Sequence, residues 1–435
     1  MIRVSLVKEK VYELTNPQKA IWYTEQYMPN TSIGNVCGTV HIEDKVNFKK
    51  LEESMNIILK YNDNFRLQFV MEGTELKQVL KEYSYLNINP VQVKNKEELK
   101  KLEEEIVTTP FSLLNSFLFH FVIFEFPDKS GGFIISAHHL IVDAWSSGII
   151  VNNIVDNYEK LLKGEEPKTE FPSYLDYIET EKEYHLSAKC EKDKKYWLDM
   201  FNEVPETALI PSMSEKNSSV VSYASCREEF IVSKARINVI QEFCTKYKIS
   251  IYNFYMSVLA IYLSRVSNLD RLVIGTPILN RANFIEKNTC GMFISTAPFL
   301  VEFKNELTFV ELAKKVALDS LSMLRHQKYS YFEILESLRK EHKEMPGLYS
   351  VLFSYQNTRT NRRSSDIKYD TWWTSNRNTS DALDIHLYDI SDSDDMNLAY
   401  DYQVNKYTKQ DILHINECIN AILDHLDTSS INISR

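Results

Sequence analysis

The chain has 435 residues, of which 44% are hydrophobic and 25% are charged, the balance of a globular protein with a sizeable core. Its net charge is −10, and no Lys/Arg cluster is interleaved with aromatic residues, so we expect no nucleic-acid partner. The longest apolar run, at 117–126, is broken by His120 and Glu125 and is too short to span a bilayer.

The cysteine pattern bears on compartment and metal binding. The six cysteines form no C-x-x-C pair, which argues against a zinc site and is typical of free thiols in a reducing compartment. Residues 1–10 lack the apolar stretch of a signal peptide. We therefore expect a soluble, cytoplasmic protein without a bound metal.

Hydrophobic periodicity predicts an α/β chain with strands and helices mixed along both halves. In the first half, Asn16 is expected to cap a helix that has Pro17 at its first position and continues to Met28. The elements predicted after it are a strand at 36–42, a helix at 48–59, strands at 65–71, 117–126 and 132–138, and a helix at 145–162.

The second half repeats this mixture, so each half has enough elements for a layered core of its own. Its predicted elements are helices at 236–247 and 252–264, a strand at 272–276, a helix with Phe309, Leu312, Val316 and Met323 on one face, strands at 348–355, 384–390 and 396–402, and a final helix at 409–426.

The chain is predicted to divide into residues 1–175 and 176–435. The polar stretch 163–170 and a charged helix at 179–195 are expected to form the crossing between the two parts. Many of the residues in the segment 358–381 are polar, and the segment shows few strand signals. They are expected to form a long loop, and loops of that length are usually functional or disordered.

The stretch that carries chemistry is SAHHLIVDAWS, residues 136–146, at the end of an apolar strand and the start of a helix. Side chains at such a boundary stand on a rigid support. Adjacent strand residues point to opposite faces, so His138 and His139 cannot chelate one metal together, and one of them should be structural. A carboxylate such as Asp143 can fix the tautomer of a nearby imidazole and support its positive form.

A serine nucleophile is not indicated, because the sequence has no G-x-S-x-G elbow. Ser146 and Ser147 are instead expected to cap the following helix.

At this point the sequence resembles the condensation domains of non-ribosomal peptide synthetases. Residues 138–143 resemble the family's H-H-x-x-x-D-G core, a motif that related acyltransferases and epimerisation domains share. Other landmarks occur in the family's order and span nearly the whole chain: LTNPQKAIW at 14–22, YNDNFR at 61–66, PFSL at 110–113, KYW at 195–197, GTP at 275–277, NR at 280–281, GMFIST at 291–296 and HQKY at 326–329.

The resemblance implies two chloramphenicol-acetyltransferase-like lobes that form a V around a central tunnel. The first lobe would carry the histidine motif, and the second would contribute bridging loops near 275–297 and 358–384. It also implies His139 as the catalytic residue, facing the cavity between the lobes. The remaining site residues are implied as support, His138, Asp143 and Gly148 beside the motif and Arg66 and Arg281 in structural ion pairs, with Asp143 placed to pair with Arg281.

The resemblance further implies amide-bond formation from an acyl thioester without a bound cofactor. Both substrates would arrive on phosphopantetheine arms of acyl and peptidyl carrier proteins, or the donor on coenzyme A. Because a thioester is already activated, no covalent enzyme intermediate is required. His139 would accept the amine proton or stabilise the developing charge.

Three departures from the family pattern are visible. Ala144 replaces the usual glycine after the aspartate, and Tyr61 replaces an arginine. The family's late arginine-rich motif is not recognisable at 345–349. None of these changes touches His139.

Two alternatives stay open from the sequence. An ester-forming or epimerising relative would share the fold, although epimerisation needs a second acid–base group and no motif supplies one. A non-catalytic recruitment domain is expected to lose a motif histidine or the aspartate, and this chain keeps all three.

The opening motif bears on the donor. Its continuation IWYTE, residues 21–25, resembles domains that start lipopeptides in antibiotic biosynthesis. Met1 is interpreted as a genuine start, and a first domain has no peptidyl donor. We therefore expect a fatty acyl donor, the alternative being an internal domain separated from its upstream modules.

Overall fold

The computed structural model divides into two compact units. The structure describes residues 10–213, 222–303, 307–343, 345, 347–356, 366–389 and 395–426. The first unit comprises Met1–Leu186, Arg281–Phe293 and Thr360–Asn376, and the second comprises Ser187–Asn280, Ile294–Arg359 and Arg377–Arg435. The division predicted at 175/176 differs from this one, because the unit changes after Leu186 and two later segments return to the first unit.

The first unit contains two sheets and six helices among its described residues. Its five-stranded sheet has the order β12-β2-β7-β6-β5, and its three-stranded sheet has the order β1-β4-β3. The strands are β1 Val11–Tyr12, β2 Asn35–Ile42, β3 Leu67–Glu72, β4 Glu75–Leu80, β5 Val91–Gln92, β6 Phe119–Glu125, β7 Gly131–His138 and β12 Tyr369–Thr374. The helices are α1 Asn16–Tyr27, α2 Phe48–Tyr61, α3 Lys96–Thr108, α4 Ala144–Lys163, α5 Tyr174–His185 and the short α9 Phe284–Asn288.

The core of the first unit lies on the two faces of the central strand β7, all of whose residues are buried. One face, with Phe133, Ile135 and Ala137, joins the large apolar cluster under α2 and α4. Ile134 on the opposite face joins a smaller cluster with residues of α3. Since both faces are covered, β7 is a rigid support for the residues that follow it.

Among its described residues, the second unit contains one six-stranded sheet of order β10-β9-β11-β13-β14-β8. The strands are β8 Ser225–Val232, β9 Arg271–Ile278, β10 Ser295–Glu302, β11 Val351–Gln356, β13 Leu383–Tyr388 and β14 Met396–Gln403. The helices are α6 Ala188–Met200, α7 Lys234–Tyr247, α8 Ile251–Ser267, α10 Phe309–Arg325, α11 Tyr331–Leu338 and α12 Lys409–Leu426. Every residue from Phe254 to Leu263 in α8 is buried, as expected for a helix that is apolar on all sides.

The α/β class predicted from the sequence is confirmed, but several local predictions are wrong. The charged helix predicted at 179–195 is two helices, because Ser187 caps a new helix with its side chain on the Cys190 N–H. The loop predicted at 358–381 contains β12, which pairs antiparallel with β2. Tyr, Thr and Trp favour strands, so the sequence of β12 carried a strand signal that its polar surroundings hid. Residues 358–365 of that loop, and the predicted start at Met1, lie outside the described residues.

The first helix also begins one residue earlier than predicted. Thr15, not Asn16, is the N-cap, and it forms a capping box with Gln18.

In the described part of the chain no single helix is long and apolar enough to cross a membrane. Within the same described residues, α7 and α8 pass that test when taken together, but they are bent relative to each other by 102°.

Candidate active site

The histidine motif occupies the turn between the central strand of the five-stranded sheet and the helix that follows it. Strand β7 ends at His138, residues 139–141 form the turn, and α4 begins at Ala144. Asp143 is the N-cap of α4, and its Oδ1 accepts the Ser146 N–H at 2.8 Å. His139 therefore lies beyond the strand, so the turn, not strand alternation, separates its side chain from that of His138.

His138 is a buried structural residue with both ring nitrogens engaged. Its Nδ1 accepts the Leu140 N–H at 3.1 Å. Its Nε2 lies 3.1 Å from Oε1 of Glu25, which is itself buried in α1. Because Nδ1 is an acceptor, the hydrogen-bond network assigns the ring proton to Nε2.

His139 is partly exposed and presents one unengaged ring nitrogen. Its backbone N–H donates to Gly34 O at 2.7 Å. Its Nδ1 lies 3.1 Å from the Val142 carbonyl oxygen, so Nδ1 carries a proton that it donates to this carbonyl. Nε2 has no hydrogen-bond partner among the residues that the structure describes. In this tautomer Nε2 offers a lone pair, which is what a general base needs.

The surroundings of His139 determine the direction in which the pKa of its ring is shifted. Burial lowers the pKa of its imidazole, against opposing contributions from the Val142 carbonyl and the carboxylates of Asp143 and Glu25. The ring should therefore stay neutral to a lower pH than an ordinary histidine, whose pKa is about 6.5. We expect an NMR titration of the His139 Cε1–H, assigned with His139→Gln, to have its midpoint below 6.5. A midpoint at or above that value would contradict the expectation.

Asp143 and Arg281 form a fully buried ion pair. Nη1 of Arg281 donates to Oδ2 of Asp143 at 2.7 Å and Nη2 to Oδ1 at 3.1 Å, with both side chains 0% exposed. Oδ2 also accepts the Phe293 N–H at 2.9 Å. Burial by itself would raise the pKa of the Asp143 carboxyl, but the Arg281 charge and these hydrogen bonds hold the pKa below its ordinary value. The carboxylate is thus fully occupied by structural contacts.

Asp143 and its neighbours fix the segment Arg281–Phe293, here called the strap, against the start of α4. Ser146 Oγ donates to Gly291 O at 2.7 Å and accepts the Gly291 N–H at 3.0 Å. Tyr174 OH donates to Met292 O at 2.8 Å. A Cβ at Gly291 would lie 2.0 Å from the Tyr174 ring, so only glycine fits there. Ser146 therefore holds the strap, and the prediction that it caps α4 is wrong.

The remaining predicted site residues have smaller roles. Gly148 lies inside α4 with open space where a Cβ would point, so its surroundings do not require glycine. Arg66 forms no ion pair with any described residue, which corrects the prediction; its Nη1 donates to Lys81 O at 3.1 Å instead. Ala144 is the first helical residue of α4, a position that alanine fills without strain. Glu25 is the last residue of the IWYTE motif, which was interpreted for the donor and not for the site, and no motif indicated Gly34 or Tyr174.

Among the described residues, no group of three or more His, Cys, Asp or Glu side chains is placed to hold a metal ion. Two surface cavities, of about 660 and 310 Å³, lie in the second unit and include no motif residue. The larger one is bordered by Tyr196, Arg271 and Asp319. The candidate site is therefore defined by the chemistry of the motif, not by either cavity.

The turn after β7 thus presents a histidine with an available Nε2, the group a general base needs, next to a buried Asp–Arg pair. The Condensation domain family matches residues 8–430, and the chain belongs to that family. Condensation domains are acyltransferases that form amide bonds in non-ribosomal peptide assembly.

Curated relatives are much longer proteins. The chain is 29% identical over 424 residues to one of the plipastatin synthase subunits and 30% identical over 422 residues to surfactin synthase subunit 1, both of Bacillus subtilis (strain 168). These alignments cover 96% and 95% of this chain but only 16% and 12% of the relatives.

Solved structures share the fold at low identity. The condensation domain of the Monacolin K polyketide synthase MokA has a TM-score of 0.84 at 18% identity, covering 98% of this chain and 99% of that one. A variant of the starter condensation domain of rhizomide synthetase RzmA, in complex with C8-CoA and Leu-SNAC, has a TM-score of 0.83 at 18% identity and covers 97% and 96%.

Proposed function

We propose that this condensation domain joins a fatty acyl thioester to the amine of a carrier-bound aminoacyl thioester. The amine nitrogen attacks the thioester carbonyl, the C–S bond breaks, and an amide forms. Nε2 of His139 accepts the proton that the amine loses, and the departing thiolate takes up that proton afterwards. The observation that carries this assignment is the tautomer of His139, whose Nδ1–H is held by Val142 while Nε2 stays available.

Positioning supplies much of the rate in this scheme. Holding an amine and a thioester in reactive geometry replaces a bimolecular encounter with an effectively unimolecular one. The buried contacts of Asp143 and the rigid strand β7 keep the turn that carries His139 in one conformation. We infer that His138, Asp143 and Arg281 support the site in this way without touching substrate.

The setting follows from the chemistry of the substrates. We infer that acyl and peptidyl carrier proteins are the partners, and that the donor arrives on a phosphopantetheine arm or on coenzyme A. No disulfide joins any of the six cysteines, all of which lie in the described part of the chain, and this supports a reducing, cytoplasmic environment. A fatty acyl donor would make the product a lipopeptide, and the starter condensation domain of RzmA, solved with C8-CoA, supports such a donor.

The central test mixes the chain with an acyl-loaded and an aminoacyl-loaded carrier protein and measures the products by intact mass. A mass gain on the acceptor carrier equal to the acyl group supports condensation. An ester product with a hydroxyl acceptor would favour the ester-forming alternative. Carrier binding without any product would favour a recruitment domain.

The donor class is tested by chain length. We expect kcat/KM to rise from short to medium acyl-CoA donors, because each buried methylene contributes about 0.8 kcal/mol, or roughly fourfold. The RzmA starter domain, solved with C8-CoA, supports octanoyl-CoA as the first probe. A short peptidyl thioester serves as the comparison. Faster turnover of the peptidyl donor, with no gain from longer acyl chains, would rule out the fatty acyl proposal.

A further inference from the structure

A buried carboxylate on the first helix lies directly behind the histidine motif. Glu25 is 6% exposed, and its Oε1 accepts the Gly34 N–H at 3.1 Å. The same oxygen lies 3.1 Å from Nε2 of His138. The Gly34 N–H and Nε2–H of His138 thus donate to the same oxygen, so Glu25 acts here as a hydrogen-bond acceptor.

This contact fixes the tautomer of His138. Leu140 N–H already donates to Nδ1 of that ring, so the ring proton must be on Nε2, where Glu25 accepts it. With the proton on Nδ1 instead, the ring N–H of His138 and the Leu140 N–H would face each other. The turn after β7 would then lose the hydrogen bond between Leu140 and His138. The acceptor at Nε2 therefore keeps the turn closed. His139, one residue further, is held in the opposite tautomer by the Val142 carbonyl.

Gly34 connects the same carboxylate to the backbone of His139. Its carbonyl accepts the His139 N–H at 2.7 Å while its own N–H donates to Glu25. A Cβ at this position would lie 2.1 Å from Nε2 of His138 and 2.6 Å from Oε1 of Glu25, so the contact requires glycine. The backbone N–H of His139, through Gly34, and the ring of the preceding His138 are thus both linked to one oxygen atom of Glu25.

We propose that Glu25 is a positioning residue for His139, acting as a hydrogen-bond acceptor through His138 and Gly34. This rests on the proposed function, in which His139 is the base. Gln offers an acceptor oxygen at the same place but carries no charge, and Leu offers neither. If Glu25 acts as an acceptor, Glu25→Gln should therefore keep the activity that Glu25→Leu loses. If its charge were what matters, both variants should lose activity.

The kinetic test compares these two variants with octanoyl-CoA and an aminoacyl carrier protein. We expect Glu25→Gln to keep kcat within about threefold and Glu25→Leu to lose about 100-fold in kcat at nearly unchanged KM, the scale of a misplaced reactive group. Glu105→Leu, at an exposed position of α3, is the matched control and should leave kcat unchanged. Wild-type kcat in Glu25→Leu, or equal losses in both variants, would overturn the proposal.

A second measurement uses the chain without substrates, so its outcome does not depend on the proposed function. Two-bond ¹H–¹⁵N spectra of ¹⁵N-histidine protein at pH 7.5, assigned with His138→Gln and His139→Gln, give both ring tautomers. We expect Nε2–H for His138 and Nδ1–H for His139, and the same pair in Glu25→Gln. A His138 ring that carries its proton on Nδ1, or is doubly protonated, overturns the proposal even if Glu25→Leu does not fold.

Discussion

Replacing His139 with Ala should lower kcat for condensation by about 10²–10⁴-fold, the range attributed to a positioned general base. The loss should appear with little change in stability, because the ring is partly exposed and its one described side-chain hydrogen bond goes to the Val142 carbonyl. Initial rates with octanoyl-CoA and an aminoacyl carrier protein, together with a urea unfolding curve, measure both quantities. The activity that remains would report positioning alone.

Two matched histidine variants make this result specific. His138→Ala should lower the unfolding midpoint, because it strands the buried Glu25 carboxylate that now accepts the Nε2–H. His414→Ala, at an exposed position of α12, should change neither rate nor midpoint. Full condensation activity in His139→Ala would show that the histidine is not the base.

The fold was predictable where the sequence pattern is local. The strand ending at His138 and the helix after it follow from an apolar run and a capped amphipathic stretch, and the structure has both. Strand β12 was missed because its polar surroundings hid its local strand signal, and its partner β2, more than 300 residues earlier in the chain, could not be identified from any local pattern. Pairing at such a distance is decided by tertiary packing, which overrides local composition.

The site was predictable only where it coincides with a motif. His139, Asp143 and Arg281 came from motif positions and their roles followed from the family resemblance, whereas the contacts of Glu25 with His138 and of Gly34 with His139 join residues distant in the chain. A buried carboxylate looks the same in sequence as the exposed ones around it. At Arg66 the motif position led to a wrong prediction. An ion pair was expected there, but the guanidinium donates a hydrogen bond to the Lys81 carbonyl oxygen.

Removing either partner of the buried ion pair should cost about 3–5 kcal/mol of unfolding free energy, because the remaining charge is left buried without its counterion. Asp143→Ala also removes the N-cap of α4 and the acceptor of the Phe293 N–H. It should therefore be the more destabilising of the two single variants. Arg281→Ala should come close to it, since Asp143 and Arg281 are both 0% exposed.

The double variant Asp143→Ala/Arg281→Ala should lose less stability than the sum of the single variants, because neither charge is then stranded. Asp199→Ala is the matched control, since its ion pair with Lys195 is exposed and worth at most about 1 kcal/mol. Condensation activity should fall with stability in the single variants, as the turn between His139 and Asp143 loosens. If Asp143→Ala abolished activity with an unchanged unfolding midpoint, and Arg281→Ala left activity intact, the carboxylate would have to act on the substrates directly.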